Sequence, residues 1–305
     1  TRRGQVRVFS WNGITWNQVG NDLNGLGTDD KFGMNVSMSA SGNKIIVGAP
    51  EDDDGGTNSG TAKVYELVGT TWTQIGNTIV GQSGNEAGYA VSISADGNRV
   101  AVGMRRYSYN RGRVRIYDLV GSTWTQVGSD IVGEANGDYF GASIEMNDVG
   151  AKLLIGAYRN DGGGTYSGHA RIYDLVGTTW TQLGDDFDGE EGSDYFGFGL
   201  GMSASGHRIA LGSYGGDNNS NVNTGDVKVF SVNSICTTPL SVTITQSEDG
   251  TFSYAGSGTS QTIYSEDFTG QNGKGWSYNS SDFSGVDWTM DCLLYTSDAA
   301  DEIAS

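Results

Sequence analysis

Proline and cysteine are both scarce in this 305-residue chain, at 2 residues each. So few prolines exclude a collagen-like or proline-rich chain, and two cysteines cannot staple a disulfide-dense mini-domain. Basic residues are also few: 18 Lys and Arg stand against 36 Asp and Glu, a net charge of -18. Without a basic patch to release counterions from phosphates, no nucleic-acid partner is expected. No apolar stretch approaches the roughly 18 residues that cross a bilayer, so no membrane insertion is expected. The opening Thr1-Arg2-Arg3 carries neither an initiator Met nor a leader, which predicts a longer natural protein. A hydrophobic content of 36% with 10% aromatics is enough to build a core, so the chain is not a disordered acidic tail.

Glycine is what the chain has in excess, with 49 residues, and its placement is periodic. A block Gly-x-x-(Lys/Arg)-(Val/Ile)-(Tyr/Phe), followed by Thr-Trp-x-Gln, opens at Gly4, Gly60, Gly112 and Gly168, at nearly constant intervals. Its Trp always lies at the same distance past the opening Gly, at Trp16, Trp72, Trp124 and Trp180; a fifth opening at Gly225 has no Trp after it. A second pair of glycines sits between openings, with identical spacing in every unit: Gly33 and Gly48, Gly88 and Gly103, Gly141 and Gly156, Gly197 and Gly212. Repeats of this length are single supersecondary units that must stack to bury a core.

Each unit reads as four short strands, which in the first unit lie near 32–39, 43–49, 60–67 and 71–76 and are termed A, B, C and D. The B segments, such as Ile45-Ile46-Val47 and Leu153-Leu154-Ile155, are continuous apolar runs suited to burial on both faces. The C segments alternate, as in Arg113-Val114-Arg115-Ile116, so B lies inside and C further out. Short glycine-bearing turns join A to B. The pattern predicts an all-β fold: a partial β-propeller of about four four-stranded antiparallel blades. A β-solenoid is the alternative, though its repeats are usually shorter.

Phe32-Gly33 with Gly48-Ala49-Pro50, and Phe140-Gly141 with Gly156-Ala157, resemble the FG-GAP repeat family, the blades of integrin α-subunit heads and of many secreted microbial proteins. The resemblance covers about residues 1–235. It implies a propeller that works in adhesion or ligand binding at the cell surface or outside the cell, with a protein or glycan as partner, and that often holds Ca²⁺. The integrin-type calcium loop needs an Asp-x-(Asp/Asn)-x-(Asp/Asn)-Gly run between A and B, because Ca²⁺ takes six to eight oxygens. The A-to-B loops here, such as Ser39-Ala40-Ser41-Gly42-Asn43 and Ser203-Ala204-Ser205-Gly206-His207, hold at most one carboxylate each, so that site is not carried over.

Acidic residues gather instead in the D-to-A and B-to-C loops, which share one rim of such a fold. Asp30, Asp138 and Asp194 stand three residues before the Gly of Phe-Gly, and Asp53, Asp161 and Asp217 stand five after the B-strand Gly. These six are the candidate Ca²⁺ ligands; capping of turns by their own side chains is the structural alternative. The second unit departs from its siblings with Met104-Arg105-Arg106-Tyr107-Ser108-Tyr109 in its B-to-C loop. Arg and Tyr dominate binding hot spots, so Arg105, Arg106, Tyr107 and Tyr109 are the candidate ligand contacts, with pairing to neighbouring acidic loops as the alternative. The repeated Trp residues suit either sugar stacking or packing between blades, and their invariant register favours packing. The two histidines, His169 and His207, show no metal-ligand spacing, and no catalytic constellation stands out, so no enzyme is expected.

Past residue 235 the repeat ends. Residues 236–263 are Ser/Thr/Gly-rich and read as a linker, in which 241–245 offers one strand to replace the missing Trp strand. Residues 264–291 resemble the start of a truncated secreted β-sandwich module. From Cys292 the chain reads Cys-Leu-Leu-Tyr-Thr-Ser-Asp-Ala-Ala-Asp, which resembles, codon for codon, a translated sequencing adapter; residues 292–305 are therefore taken as non-native and Cys236 as the only native cysteine. The leading expectation is a non-enzymatic binding or adhesion module. The alternatives are a calcium-stabilised scaffold without its own ligand and, further off, a propeller that degrades polysaccharide.

Overall fold

A computed structural model describes residues 3–216 and 224–232, and the backbone of two strands at 242–246 and 252–256. The chain divides into two compact units, Thr1–Asn233 and Ser234–Ser305. In the first unit, β1 (Gln5–Trp11) and β2 (Trp16–Asn24) form a hairpin equivalent to a C–D pair. The first full blade follows as β3 (Asn35–Met38), β4 (Lys44–Ala49), β5 (Thr61–Val68) and β6 (Thr71–Val80). The second is β7 (Ala87–Ile93), β8 (Arg99–Met104), β9 (Arg113–Val120) and β10 (Thr123–Gln126), continued by β11 (Ile131–Val132). The third is β12 (Ser143–Met146), β13 (Lys152–Ala157), β14 (His169–Val176) and β15 (Thr179–Gln182), continued by β16 (Phe187–Asp188). Last come β17 (Gly199–Met202), β18 (Arg208–Ser213) and β19 (Asp226–Ser231), a three-stranded sheet.

The three full blades are antiparallel meanders in the A-B-C-D order that the sequence predicts. The D strands differ in continuity. The second and third D strands are interrupted around Gly128 and Gly184, whereas β2 and β6 run through the equivalent Gly20 and Gly76; all four glycines share a φ of 70–74°.

No blade builds a core alone. Four apolar clusters lie between successive units: Val6, Leu23, Ile45, Val47 and Trp72 join the leading hairpin to the first blade, and Leu154, Ile172, Phe196, Ile209 and Leu211 join the third to the fourth. The other two clusters fill the seams between the first and second blades and between the second and third. β4, β8 and β13 are buried almost throughout, as their continuous apolar runs require, while β18 at the end of the row alternates between buried and partly exposed. This is the energetics of a repeat protein, in which stability is carried by nearest-neighbour interfaces.

The repeated glycines are explained at these interfaces. A Cβ on Gly103 of β8 would collide with the carbonyl oxygen of Gly141, the Phe-Gly glycine of the next blade; Gly48 meets Gly88 and Gly156 meets Gly197 in the same way. The opening Gly112 is likewise pressed against Phe140, to which it is bridged. Backbone thus packs on backbone, which only glycine permits.

The tryptophans close the outer part of each seam. Trp72 Nε1 donates to the Val19 carbonyl at 2.8 Å and Trp124 Nε1 to that of Ile75 at 3.0 Å; their backbone amides donate to Asn21 and Asn77 side chains. Trp180 packs against Gly128 in the same place, but Ser129 stands where the Asn would be and its Nε1 has no partner. Trp16, with no blade before β1 among the described residues to pack against, is 67% exposed. The Gln of Thr-Trp-x-Gln is structural too, since Gln18, Gln126 and Gln182 donate to Asp22, Asp130 and Asp186.

In the second unit, β20 (Val242–Gln246) and β21 (Phe252–Gly256) pair as an antiparallel hairpin. The strand expected at 241–245 therefore exists, but its partner is β21; the β17-β18-β19 sheet gains no fourth strand among the described residues. Asp217, Cys236, Cys292, and the expected linker, module stub and adapter-derived tail outside these two strands, lie beyond the described residues.

Candidate functional site

Three positions per unit meet where the D-to-A and B-to-C loops converge, around the innermost strands. The first precedes the Phe-Gly pair, or its Ala87-Gly88 counterpart: Lys31, Glu86, Tyr139 and Tyr195. The second follows each B strand: Pro50, Arg105, Tyr158 and Tyr214. The third follows the Phe-Gly glycine: Met34, Tyr89, Ala142 and Phe198. All four residues of the first set are left-handed, with φ of 55–57°. The amides of Glu86, Tyr139 and Tyr195 donate to the carbonyls of Asn58, Asn110 and Tyr166, themselves left-handed, at 2.8–3.1 Å. Backbone strain is therefore concentrated on this rim, as it is at binding sites generally.

From the second blade to the fourth these positions form a continuous run of rings and guanidinium groups. Arg105 stacks over Tyr89 at 3.6 Å and faces Tyr139 at 5.4 Å. Tyr139 stacks on Tyr158 at 5.8 Å, with Arg159 5.1 Å from Tyr139 and 5.4 Å from Tyr166. Tyr166 stacks on Tyr195, and Tyr195 on Tyr214 at 4.7 Å and nearly parallel; Phe198 meets both Tyr158 and Tyr214 edge-on. Tyr166, Phe198 and Tyr214 remain 40%, 52% and 54% exposed. A trough of about 350 Å³, within the range of ligand clefts, runs below along β3, β7, β12 and β17, with Tyr89, Tyr158 and Phe198 in its lining. Such an array offers apolar faces, hydroxyls and cations together.

The predicted ligand contacts divide. Arg105 lies on the run but pairs with buried Glu86 at 2.7 Å, and Arg106 joins the same carboxylate at 3.1 Å. Tyr107 packs against the seam cluster and under the Arg113 guanidinium. Tyr109 is 84% exposed in a tight turn where Ser108, Tyr109 and Asn110 are all left-handed. Sequence reasoning misses Tyr139, Tyr158, Arg159, Tyr195, Phe198 and Tyr214. The readable signal is that their repeat positions keep place but change chemistry between units.

The predicted calcium ligands act locally. Asp53 and Asp161 accept the amides of Asn58 and Tyr166, while Asp138 and Asp194 accept those of Ala135 and Glu191. Burial and the nearby Asp52 raise the Asp30 carboxyl above its usual range, and burial does the same for Asp138. Asp30 feels the charge of Asp53, and Asp138 that of Asp161, while among the described residues no three of these aspartates form one ligand group. In the A-to-B loop of the second blade, Ser94 and Asn98 hold the Asp96 carboxylate within its own turn.

One convergence does occur, at the edge of the seam between the second and third blades. Glu134, His169 and Asp186 bring their ligand atoms within 4.8 Å of one another, the only such group of three or more His, Cys, Asp or Glu among the described residues. His169 is 1% exposed and neither ring nitrogen has a hydrogen-bond partner. Burial, reinforced by the Arg171 charge, lowers its pKa to about 4, so the ring is neutral near pH 7. For Asp186, burial works against ionisation, but hydrogen bonds from Arg171 and Gln182 prevail and hold it below the usual carboxylate range. The three residues stand too far apart in the sequence for any local motif to reveal the group.

The sheets define the class: a β-propeller of stacked four-stranded blades. The FG-GAP repeat family model matches residues 25–65 of it. Solved structures similar to the chain include the β-propeller domain of the Trilobed protease from Pyrococcus furiosus (13% identity, 72% of this chain and 55% of that one, TM-score 0.40) and TolB from Acinetobacter baumannii (18% identity, 83% and 57%, TM-score 0.43). The chain spans little more than half the length of either. No curated protein matches it. No helix among the described residues is long and apolar enough to cross a membrane. An FG-GAP repeat match on a propeller fold suggests a protein-interaction or scaffold module.

Proposed function

We propose that the chain is a non-enzymatic binding or adhesion module, displayed outside the cell or on its surface, that takes a protein or glycan ligand on its loop-bearing rim. The observation that carries this reading is the run from Arg105 to Tyr214. Packing alone requires identical residues at identical repeat positions, as the glycines and tryptophans show. The position before Phe-Gly keeps its left-handed backbone yet changes from Lys31 to Glu86 to Tyr139 and Tyr195, and the position after each B strand changes from Pro50 to Arg105 to Tyr158 and Tyr214. Aromatic faces left half open in water are costly unless something covers them. Tyr and Arg are also the side chains that carry most binding energy at interfaces.

The test is a screen of the purified chain on glycan and protein arrays, followed by titration of each hit with the parent and with Phe198→Ala, Tyr214→Ala and Arg105→Ala variants. A loss of about 10-fold or more in affinity at Phe198 or Tyr214 is expected for rim residues that touch the ligand. Affinity unchanged in all three variants would remove the rim from the binding site.

A further inference from the structure

We propose that Glu134, His169, Asp186 and Asp188 form a binding site for one divalent transition-metal ion. His169 opens β14, and Asp188 lies opposite it in register on β16. Its Nδ1 faces three carboxylates at once: Asp186 at 3.7 Å, Glu134 at 3.9 Å and Asp188 at 4.0 Å. Those spans are close to the separation of two ligand atoms that share a metal about 2.1 Å from each. They are too long for hydrogen bonds, which is why this buried nitrogen has no partner.

Comparison with the second blade shows what is missing. At the repeat position of His169 the second blade carries Arg113, whose Nη1 donates to Asp130 at 2.9 Å; Arg115 donates to the same carboxylate. Two cations there serve one acid. In the third blade one cation, Arg171, serves Asp186 and Glu134 at 2.6 and 2.8 Å, and Asp188 adds a third carboxylate. The group thus carries two uncompensated negative charges, and a neutral imidazole stands in the place of the guanidinium. A dipositive ion restores the balance that Arg113 supplies next door. Nitrogen with carboxylate oxygens suits Zn²⁺, Co²⁺, Ni²⁺ or Mn²⁺, whereas Ca²⁺ prefers an all-oxygen shell. Glu134 and Asp188 are half exposed, so they can close on an ion that enters from the rim.

The experiment is calorimetric titration of the chelator-treated chain with Zn²⁺, with Ca²⁺ and Mg²⁺ as comparison ions, and a thermal-shift measurement on the same samples. One Zn²⁺ per chain is expected, with a rise in Tm that Ca²⁺ and Mg²⁺ do not reproduce. His169→Gln should lower Zn²⁺ affinity by about 100-fold or more, and Glu134→Gln, a surface change that leaves the core untouched, by about 10-fold or more. Titration with Co²⁺ should give the visible absorption of a nitrogen-ligated site in the parent and not in His169→Gln. Absence of saturable Zn²⁺ binding would overturn the proposal, as would Zn²⁺ binding that survives both substitutions unchanged.

Discussion

The seams between blades and the rim around the loops are built from the same repeat, yet they obey opposite rules. At the seams each position keeps its residue: Gly48, Gly103 and Gly156 each meet the Phe-Gly glycine of the next blade, or its counterpart, and Trp72, Trp124 and Trp180 occupy one place in successive seams. At the rim the backbone is copied and the side chains are not. Tyr195 and Glu86 share a left-handed conformation and an inter-loop hydrogen bond, but one stacks on Tyr214 and the other pairs with Arg105 and Arg106. Sameness marks the residues that hold blades together, and variation on a fixed backbone marks those free to recognise something.

The sharpest way to break the seam half of this contrast is a side chain at Gly103. Gly103→Val sets branched carbons against the Gly141 carbonyl, where backbone, not a flexible side chain, would have to yield. A loss of more than about 4 kcal/mol in denaturant unfolding, or failure to fold, is expected. The next largest effect separates two tryptophans with one motif and different surroundings. Trp124→Ala should cost about 3–5 kcal/mol, because the ring is 3% exposed and its Nε1 is bonded to Ile75; Trp16→Ala, at a ring 67% exposed, should cost about 1 kcal/mol or less.

His169 gives a smaller effect that depends on pH. Its folded pKa of about 4 lies below the usual 6.5, so the unfolded chain binds more protons between those values. In metal-free protein the native state therefore loses stability as pH falls through this window, by about 3 kcal/mol once pH is below 4. Arg171, Glu134, Asp186 and Asp188 face the ring, so the readout is the difference between the parent and His169→Gln, which cannot titrate. Parallel stability curves from pH 7 to 4 would show that the ring is not held neutral by burial.

Much of the fold is legible in the sequence because repetition amplifies weak local signals. Four in-phase copies turn a Gly-x-x-Arg-Val pattern into strand order, blade number and the packing role of Trp. The extra C strand, and a last sheet with no D strand among the described residues, follow from the same alignment of units. The site is less legible. Arg105 and Arg106 stand out as a basic island among acids, and the structure spends both on Glu86, a partner from the loop before β7. Tyr158 and Tyr214 are unremarkable beside their sequence neighbours and join one continuous run of rings only when adjacent blades stack. His169 shows the limit most clearly, since its three carboxylates come from a connecting loop and two points on a neighbouring strand segment. Asp30, Asp53, Asp138, Asp161 and Asp194 are found by position, but position alone does not separate a turn cap from a ligand.

The division between seam and rim is tested most directly by the unfolding free energy of Phe198→Ser/Tyr214→Ser measured beside Trp124→Ala. The double rim variant removes two large aromatic rings that are half exposed, the seam variant one that is buried. The rim variant is expected to stay within about 1 kcal/mol of the parent while Trp124→Ala loses about 3 kcal/mol or more. A rim variant as unstable as the seam variant would contradict the division of seam from rim, because Phe198 and Tyr214 would then be core, with nothing left to offer a ligand.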